Sequence, residues 1–441
     1  MVSRGSIAAR RLLRFFVAAS CALALSTGAA EATPATGLDS GATAWVMVAS
    51  ALVLFMTLPG LALFYGGLVR ARNLLSVLMH CFVISCIVSL IWVAFGYSLV
   101  FDGDNPLIGS LGAAFLPRVR EHLMPNGIPE AAMVLFQMTF AVITPALIVG
   151  AFTERAKFSF VVLFSAIWLV LVYLPVAHWV WGGGFLATLG TIDFAGGIVV
   201  HTTAGISALV AAIMIGPRTG FPHHLAPPHS PGMTMAGAGM LWFGWFGFNG
   251  GSALAADASA ASAILATHLA ASAAGLAWIT IERLRLGKPT SVGIVTGCVA
   301  GLATITPASG YVGPIGAAVM GAAGGTLCFF ATGFIKKRIE IDDSLDVFAV
   351  HGVGGILGSL AVALFALPAL GGVGFGHELS GLAQFRAQAI GVGAAIIWSA
   401  GCTFVTIKLL AATVGLKLSV DEQREGLDLV IHGERAYDLA E

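Results

Sequence analysis

Eleven stretches of this 441-residue chain are apolar over about 20 residues, the length an α-helix needs to cross a bilayer, and nothing else restricts its fold so strongly. In hydrocarbon every backbone N–H and C=O has to be paired within its own segment, so runs of this length are expected to be helices. The expected spans are 43–65, 75–101, 130–153, 158–181, 194–216, 232–253, 257–281, 290–308, 312–334, 346–367 and 385–412. Charged residues make up only 10% of the chain, against roughly 25% in a soluble domain, which makes it a polytopic all-α membrane protein. Formal net charge is zero and the basic residues form no dense cluster, which excludes a nucleic-acid binder.

Residues 1–32 read differently from the rest. Arg4, Arg10, Arg11 and Arg14 precede a short apolar run, Phe15 to Leu25, and a small-residue stretch at Gly28, Ala29 and Ala30, the pattern of a cleaved signal peptide. Beyond it, 18 basic residues remain. With the mature N-terminus outside, 15 of them fall on the inner side and three, Arg118, Arg120 and Arg386, on the outer, so the positive-inside rule predicts an N-out, C-in topology. Five cysteines remain, Cys81, Cys86, Cys298, Cys328 and Cys402, without CxxC spacing, and they read as small core residues rather than disulfides or zinc ligands.

The two halves echo each other. FYGG (64–67) returns as FNGG (248–251), ITPA occurs at 143–146 and 305–308, and VHTTAGI (200–206) matches VHGVGGI (350–356) as V-H-x-x-x-G-I. Spans 1–5 therefore repeat in spans 6–10, and because five is odd the second copy is expected to be inverted, with the eleventh span outside the repeat. Equivalent residues then meet near the midplane, which brings His201 and His351 together. Ionisable groups are costly in a membrane and mark pathways. Two imidazoles in contact are not readily both charged, so a neutral pair sharing one N–H to N hydrogen bond is expected. Neither helix adds an HxxxH or a nearby carboxylate, so the pair lacks the three or four ligands a metal centre takes.

Asp193 precedes His201 by eight residues, where it can cap the fifth span and where its field can attract a cation. Asp346 reads as the cap of the tenth span, and Glu154 as an interfacial partner of Arg155 or Lys157. Phe136 and Phe140 share one face of span 3 at i, i+4. Trp245 and Phe248 share one face of span 6, with Ser252 a further turn on, and Trp181 ends span 4 on the outer side. Such rings are commonly core or interfacial belt. Beside a midplane histidine pair they could also hold a small cation over their faces or form an apolar gate.

These stretches are similar to those of a known family. DFAGGIVVHTTAGISALVAAIMIGPR (193–218), FYGGLVRARN (64–73), FQMTFAVITPALIVGAFTER (136–155), HWVWGGG (178–184), GWFGFNGGSA (244–253) and DVFAVHGVGGILG (346–358) resemble the ammonium transporter family, the Amt/Mep/Rh group, in its bacterial Amt type. The resemblance runs from residue 43 to the tail. It implies an eleven-helix bundle with an inverted 5+5 repeat, assembled as a homotrimer with a pore in each subunit, in the cell (inner) membrane, with no cofactor and no enzymatic activity. It also implies an outer ammonium vestibule of Trp181, Phe136, Phe140 and Ser252, a gate of Phe140 and Phe248, and a pore of His201, His351 and Trp245, with Asp193 as the essential acid.

By the same resemblance, residues 413–441, with DEQREGLDLVIHGERAY (421–437), form a cytoplasmic regulatory tail that a PII-type nitrogen-signal protein can act on. The tail reaches Glu441 without a kinase- or cyclase-like module, so a member fused to a signalling module is not expected. The function expected is ammonium or ammonia transport across the membrane. The alternatives are an ammonium sensor with little flux and a passive ammonia or carbon dioxide channel of Rh type.

Overall fold

A computed structural model describes residues 37–375 and 379–437. The expected signal peptide, 1–32, lies outside the described residues. Among those described, the chain is helical, with only two isolated β-bridges, Leu123 with Pro129 and Ala156 with Lys417. Among the described residues nine helices are long and apolar enough to span a membrane: α1 (Ser40–Leu68), α2 (Ala71–Phe101), α3 (Glu130–Val149), α4 (Phe158–Thr188), α5 (Gly197–Ile215), α7 (Ala258–Leu286), α9 (Pro314–Lys337), α10 (Phe348–Phe365) and α11 (Gly381–Thr413). Two more apolar helices lie between them, α6 (Pro231–Trp245, continued by a π-helical turn Phe246–Gly250) and the shorter α8 (Ser291–Ile305). A two-turn helix α12 (Val420–Glu425) begins the tail.

The helices start where local chemistry lets them. Asp39, Asp257, Thr290 and Ser380 each accept the amide three residues on, at 2.9–3.3 Å, which satisfies one of the donors left open at the starts of α1, α7, α8 and α11. The Gly and Ala content then decides how closely they pack. A Cβ on Gly301 or Gly321 would lie 2.5 or 2.2 Å from the Ala270 carbonyl oxygen, and one on Gly325 would lie 2.5 Å from that of Ala274. Both α8 and α9 therefore press glycines against the backbone of α7, as expected where lipid supplies no hydrophobic drive and close contact must hold helices together.

Single π-helical turns interrupt these helices, and four of them fall in sequence-repeat partners: Met56–Leu61 in α1 and Phe246–Gly250 in α6, Gly197–Thr202 in α5 and Phe348–Gly352 in α10. Each widens the helix by one residue and turns side chains off the regular 3.6-residue face. His201, His351 and Phe248 all sit in such turns.

The structure corrects three local expectations. Glu154 pairs with neither Arg155 nor Lys157; it bonds Arg70 at 2.7 Å and Arg218 at 2.9 Å, because its backbone turns into the left-handed region (φ 69°) and carries the carboxylate towards the neighbouring loops. Asp346 does not cap α10. It pairs with Lys336 at 2.8 Å, and Asp343 accepts the Phe348 amide at 2.7 Å instead. Cys86 is exposed on the outside of α2, whereas Cys81, Cys298 and Cys328 are buried.

Candidate functional site

The V-H-x-x-x-G-I repeat has a packing reason. A Cβ on Gly355 of α10 would lie 2.7 Å from the His201 Cβ, and one on Gly205 of α5 would lie 2.2 Å from the Gly352 Cα and 3.3 Å from the His351 carbonyl carbon. The glycine one turn after each histidine is thus the seat of the other helix's histidine region. Any side chain there would push α5 and α10 apart. At this crossing His201 Nδ1 and His351 Nδ1 lie 3.2 Å apart, with ring centroids at 5.2 Å and planes 16° apart.

One Nδ1 donates and the other accepts, so the two rings carry opposite tautomers. One Nε2 is left as a donor and the other as an acceptor. The His201 Nε2 has no protein hydrogen-bond partner among the described residues. Both rings are at most 3% exposed. The space beside them is otherwise lined by apolar groups such as Ile143, Leu147, Val200 and Val299.

Outward from His201 the aromatic residues form one continuous file. Trp245 stacks over His201 (5.4 Å, 20°), and Phe248 lies 6.1 Å from His201. Phe140 stacks on Phe248 at 4.1 Å, Trp181 meets Phe140 edge-on at 5.8 Å, and Phe136 meets it from behind at 5.0 Å. The structure brings all the expected rings together but gives them unequal access. Trp181 is partly exposed, whereas Phe136 is fully buried and supports Phe140 from the side away from solvent. Gly251 leaves room for Phe136, whose Cε2 would lie 2.7 Å from a Cβ there. Ser252 donates to the Phe248 carbonyl at 2.8 Å, leaving its oxygen lone pairs as acceptors.

The ITPA repeats anchor this file from behind. Thr144 donates to the Phe140 carbonyl at 2.6 Å, Thr306 accepts the Trp245 indole N–H at 2.9 Å, and the Pro307 carbonyl accepts the Phe194 amide at 3.1 Å. Asp193 faces the start of α5. Its carboxylate accepts four amides, from Gly196, Gly197, Ile198 and Val199, at 2.5–3.0 Å, while its backbone carbonyl receives the Trp181 indole at 2.8 Å. The acid therefore caps α5 and, through its main chain, fixes the outermost ring.

Sequence reasoning missed Asp343, although it stands eight residues before His351 as Asp193 does before His201. The equal offset was the available signal. At this end Arg155, fully buried, donates to the carbonyls of Ala151 and Asp342 and to the Ser344 hydroxyl at 2.6–3.0 Å, tying the loop before α10 to the end of α3. Glu154 lies outside the spans: burial raises its pKa, but Arg218 and Arg70 outweigh burial and hold it near 2.

The tail closes over the same face. Asp428 accepts the Leu75 and Ser76 amides at the start of α2 at 3.0 and 2.8 Å, and Asn73 bridges the Leu427 amide to Glu154.

Comparison with known proteins adds a second, independent line. The profile of the Ammonium Transporter Family matches residues 44–437. A putative ammonium transporter of Methanothermobacter thermautotrophicus is 46% identical over 411 residues, covering 91% of this chain and 99% of that protein. An ammonium transporter of Aquifex aeolicus is 47% identical over 406 residues, covering 91% and 94%. Among solved structures, a chain described as a sensor Amt protein matches with a TM-score of 0.83 at 32% identity, covering 89% of this chain and 98% of that one. Mep2 of Saccharomyces cerevisiae matches with a TM-score of 0.78 at 34% identity, covering 87% and 91%.

Proposed function

This chain belongs to the ammonium transporter family, and on that premise we propose that it recruits ammonium at an outer aromatic vestibule, removes its proton and conducts ammonia past His201 and His351. The observation that carries this is the histidine pair at 3.2 Å beside an otherwise apolar lining. A bare cation entering such a conduit would forfeit its hydration, a loss of order 20 kcal/mol before relaxation. Neutral ammonia forfeits only hydrogen bonds, and the two Nε2 atoms, one donor and one acceptor, can replace them.

The cation itself is held further out. The face of Trp181 attracts it by cation–π interaction, with Phe140 beside it and the Ser252 oxygen as an acceptor for one N–H. Stacked Phe140 and Phe248 form the gate, and Phe136 braces it. Potassium is excluded because it has no proton to surrender and so meets the full desolvation cost. Trp245 flanks the lower part of the path, and Asp193 acts by capping α5 and by its field at the vestibule floor rather than by contact with the guest.

In this reading all eleven helices cross the membrane, N-out and C-in, as an inverted 5+5 repeat plus α11, with 43–412 as the transport domain. The π-helical turns at matching positions in α5 and α10 support the repeat. Residues 1–32 are a cleaved signal peptide, and the protein resides in the inner membrane. The assembly is a homotrimer. His268 supports that: it stands exposed midway along α7, with Trp242 and Phe246 beside it, and an imidazole facing lipid is far costlier than one covered by a neighbouring subunit. The tail, 413–441, is regulatory and offers its inner face to a PII-type partner.

The test is an ammonium jump on liposomes fused to a supported membrane. In this reading the proton released in the vestibule follows the ammonia inward along the His201–His351 hydrogen bond, so net charge crosses. A transient current that potassium does not evoke is therefore expected from the unsubstituted protein, and replacing both His201 and His351 by Leu should abolish the current or its selectivity over potassium. Unaltered selective currents in that double variant would remove the histidines from the mechanism. A related structure is described as a sensor, and a sensor role here would leave ammonium binding without flux. An Rh-type gas channel would give flux without current.

A further inference from the structure

The segment that delivers Asp193 is neither helix nor strand, yet it is buried, so its backbone groups need partners from elsewhere. They come from α11, the helix outside the repeat. Gln384 donates to the Gly190 carbonyl at 2.9 Å, and the Thr191 hydroxyl donates to the Ala387 carbonyl at 3.2 Å. Gln388 brackets the next residue: its Oε1 accepts the Ile192 amide at 2.7 Å and its Nε2 donates to the Ile192 carbonyl at 2.8 Å. The second Nε2 hydrogen goes to the Ser359 carbonyl of α10 at 2.7 Å, and Gln384 donates to Oε1 at 3.1 Å. A carboxamide has two donors and two acceptor sites, and all four are used.

We propose that Gln388 is a positioning residue for ammonium recruitment: by pairing both backbone groups of Ile192 it fixes the adjacent Asp193 carbonyl, on which the Trp181 indole rests. The geometry leaves little slack. The Asp193 carbonyl receives the Trp181 N–H at 2.8 Å, and on its far side the Phe194 amide is tied to the Pro307 carbonyl at 3.1 Å. With Ile192 held on one side and Phe194 on the other, the peptide carrying that carbonyl cannot rotate. Release of the Ile192 side leaves that peptide held by the Phe194 tie alone and able to pivot about it, and the partly exposed ring at the end of the file loses a fixed hydrogen-bond support. A side chain of the same length without the carboxamide would also strand two buried backbone groups, the Ile192 amide and the Ile192 carbonyl.

This rests on reading the Trp181 vestibule as the place where ammonium is recruited, so the experiment separates the two. Ammonium-jump currents are recorded from the unsubstituted protein, Q388M, Q388E, W181L and the Q388M/W181L double variant in liposomes, normalised to folded protein. In Q388M the half-saturating ammonium concentration should rise about tenfold while the saturating current falls less than about twofold. Q388E, which keeps the acceptor for the Ile192 amide, should fall between. In the W181L background the Gln388 change should add less than about twofold, because both act through one ring.

A merely structural glutamine would lower folded yield and saturating current and leave half-saturation where it was. That result in Q388M, or in Q388E if Q388M does not fold, would overturn the proposal, as would fully additive effects with W181L. Absence of current from the unsubstituted protein would instead sink the transport reading, and this role with it.

Discussion

Asp193 and Asp343 precede the two helices that carry the repeated motif, each eight residues ahead of one of the paired histidines, but their surroundings differ in kind. At the end proposed to face outward the residue before the aspartate, Ile192, is held by a neutral carboxamide, and the aspartate itself is saturated by four amides. At the inner end the residue before it, Asp342, is held by the Arg155 guanidinium, and Asp343 has one oxygen without a partner among the described residues. One sequence repeat has thus been built twice, once with dipoles and once with ions. The difference suits the two faces. If the Asp193 end is the vestibule proposed above, a permanent guanidinium there would repel an incoming cation, whereas the Asp343 end gains an anchor to which the tail is tied through Asn73 and Glu154.

That comparison can be broken in three places. The largest effect is expected where the halves meet. G205V would set a branched side chain against the Gly352 backbone, 2.2 Å from its Cα even at Cβ, and should abolish folded protein or flux. Size-exclusion profiles of G205V and G205A, with flux where protein survives, check this; normal flux in G205V would mean the crossing is looser than described.

Next comes the ionic bracket. R155M removes the guanidinium's hydrogen bonds to the Ala151 and Asp342 carbonyls and the Ser344 hydroxyl, charge-assisted bonds of about 1.5–3 kcal/mol each, and leaves Arg218 as the remaining partner of the buried Asp342 carboxylate. Removing the neutral bracket instead breaks bonds of about 0.5–1.5 kcal/mol each. Thermal unfolding of R155M beside Q388M would test the ranking, and equal losses would erase the distinction between the ends.

The smallest effect is a pH dependence at Glu154. The Glu154 pKa is held near 2, below the usual value near 4.3, so its ion pairs add stability that is fully present above that usual value and is lost as pH falls towards 2. The melting-temperature gap between the unsubstituted protein and E154Q should narrow across that window. A gap that stays constant would show that Arg70 and Arg218 do not act through the charge on Glu154.

Much of this was legible beforehand. Apolar runs of bilayer length located the helices to within a few residues, and the repeated V-H-x-x-x-G-I put His201 beside His351 before any coordinates existed. The i, i+4 spacing of Phe136 and Phe140 placed both in one aromatic group. What escaped shared a cause. Glu154 was matched to its sequence neighbours, but its partners lie 84 and 64 residues away. Asp346 looked like the cap because it stands closer to the helix, yet its backbone turns left-handed (φ 61°) and sends the side chain to Lys336. Gln388 carried no local signal, since a glutamine in an apolar helix says that a partner exists without saying which.

The sequence by itself settled what must be buried, where the chain repeats and which groups are too costly to sit in a membrane without a task, because hydrophobicity and periodicity are properties of single segments. Only the tertiary structure decided which polar groups answer each other. Helix crossings as close as Gly205 against Gly352 bring together backbone and side-chain groups that local spacing cannot relate, and in a dry interior each must find its partner across the bundle.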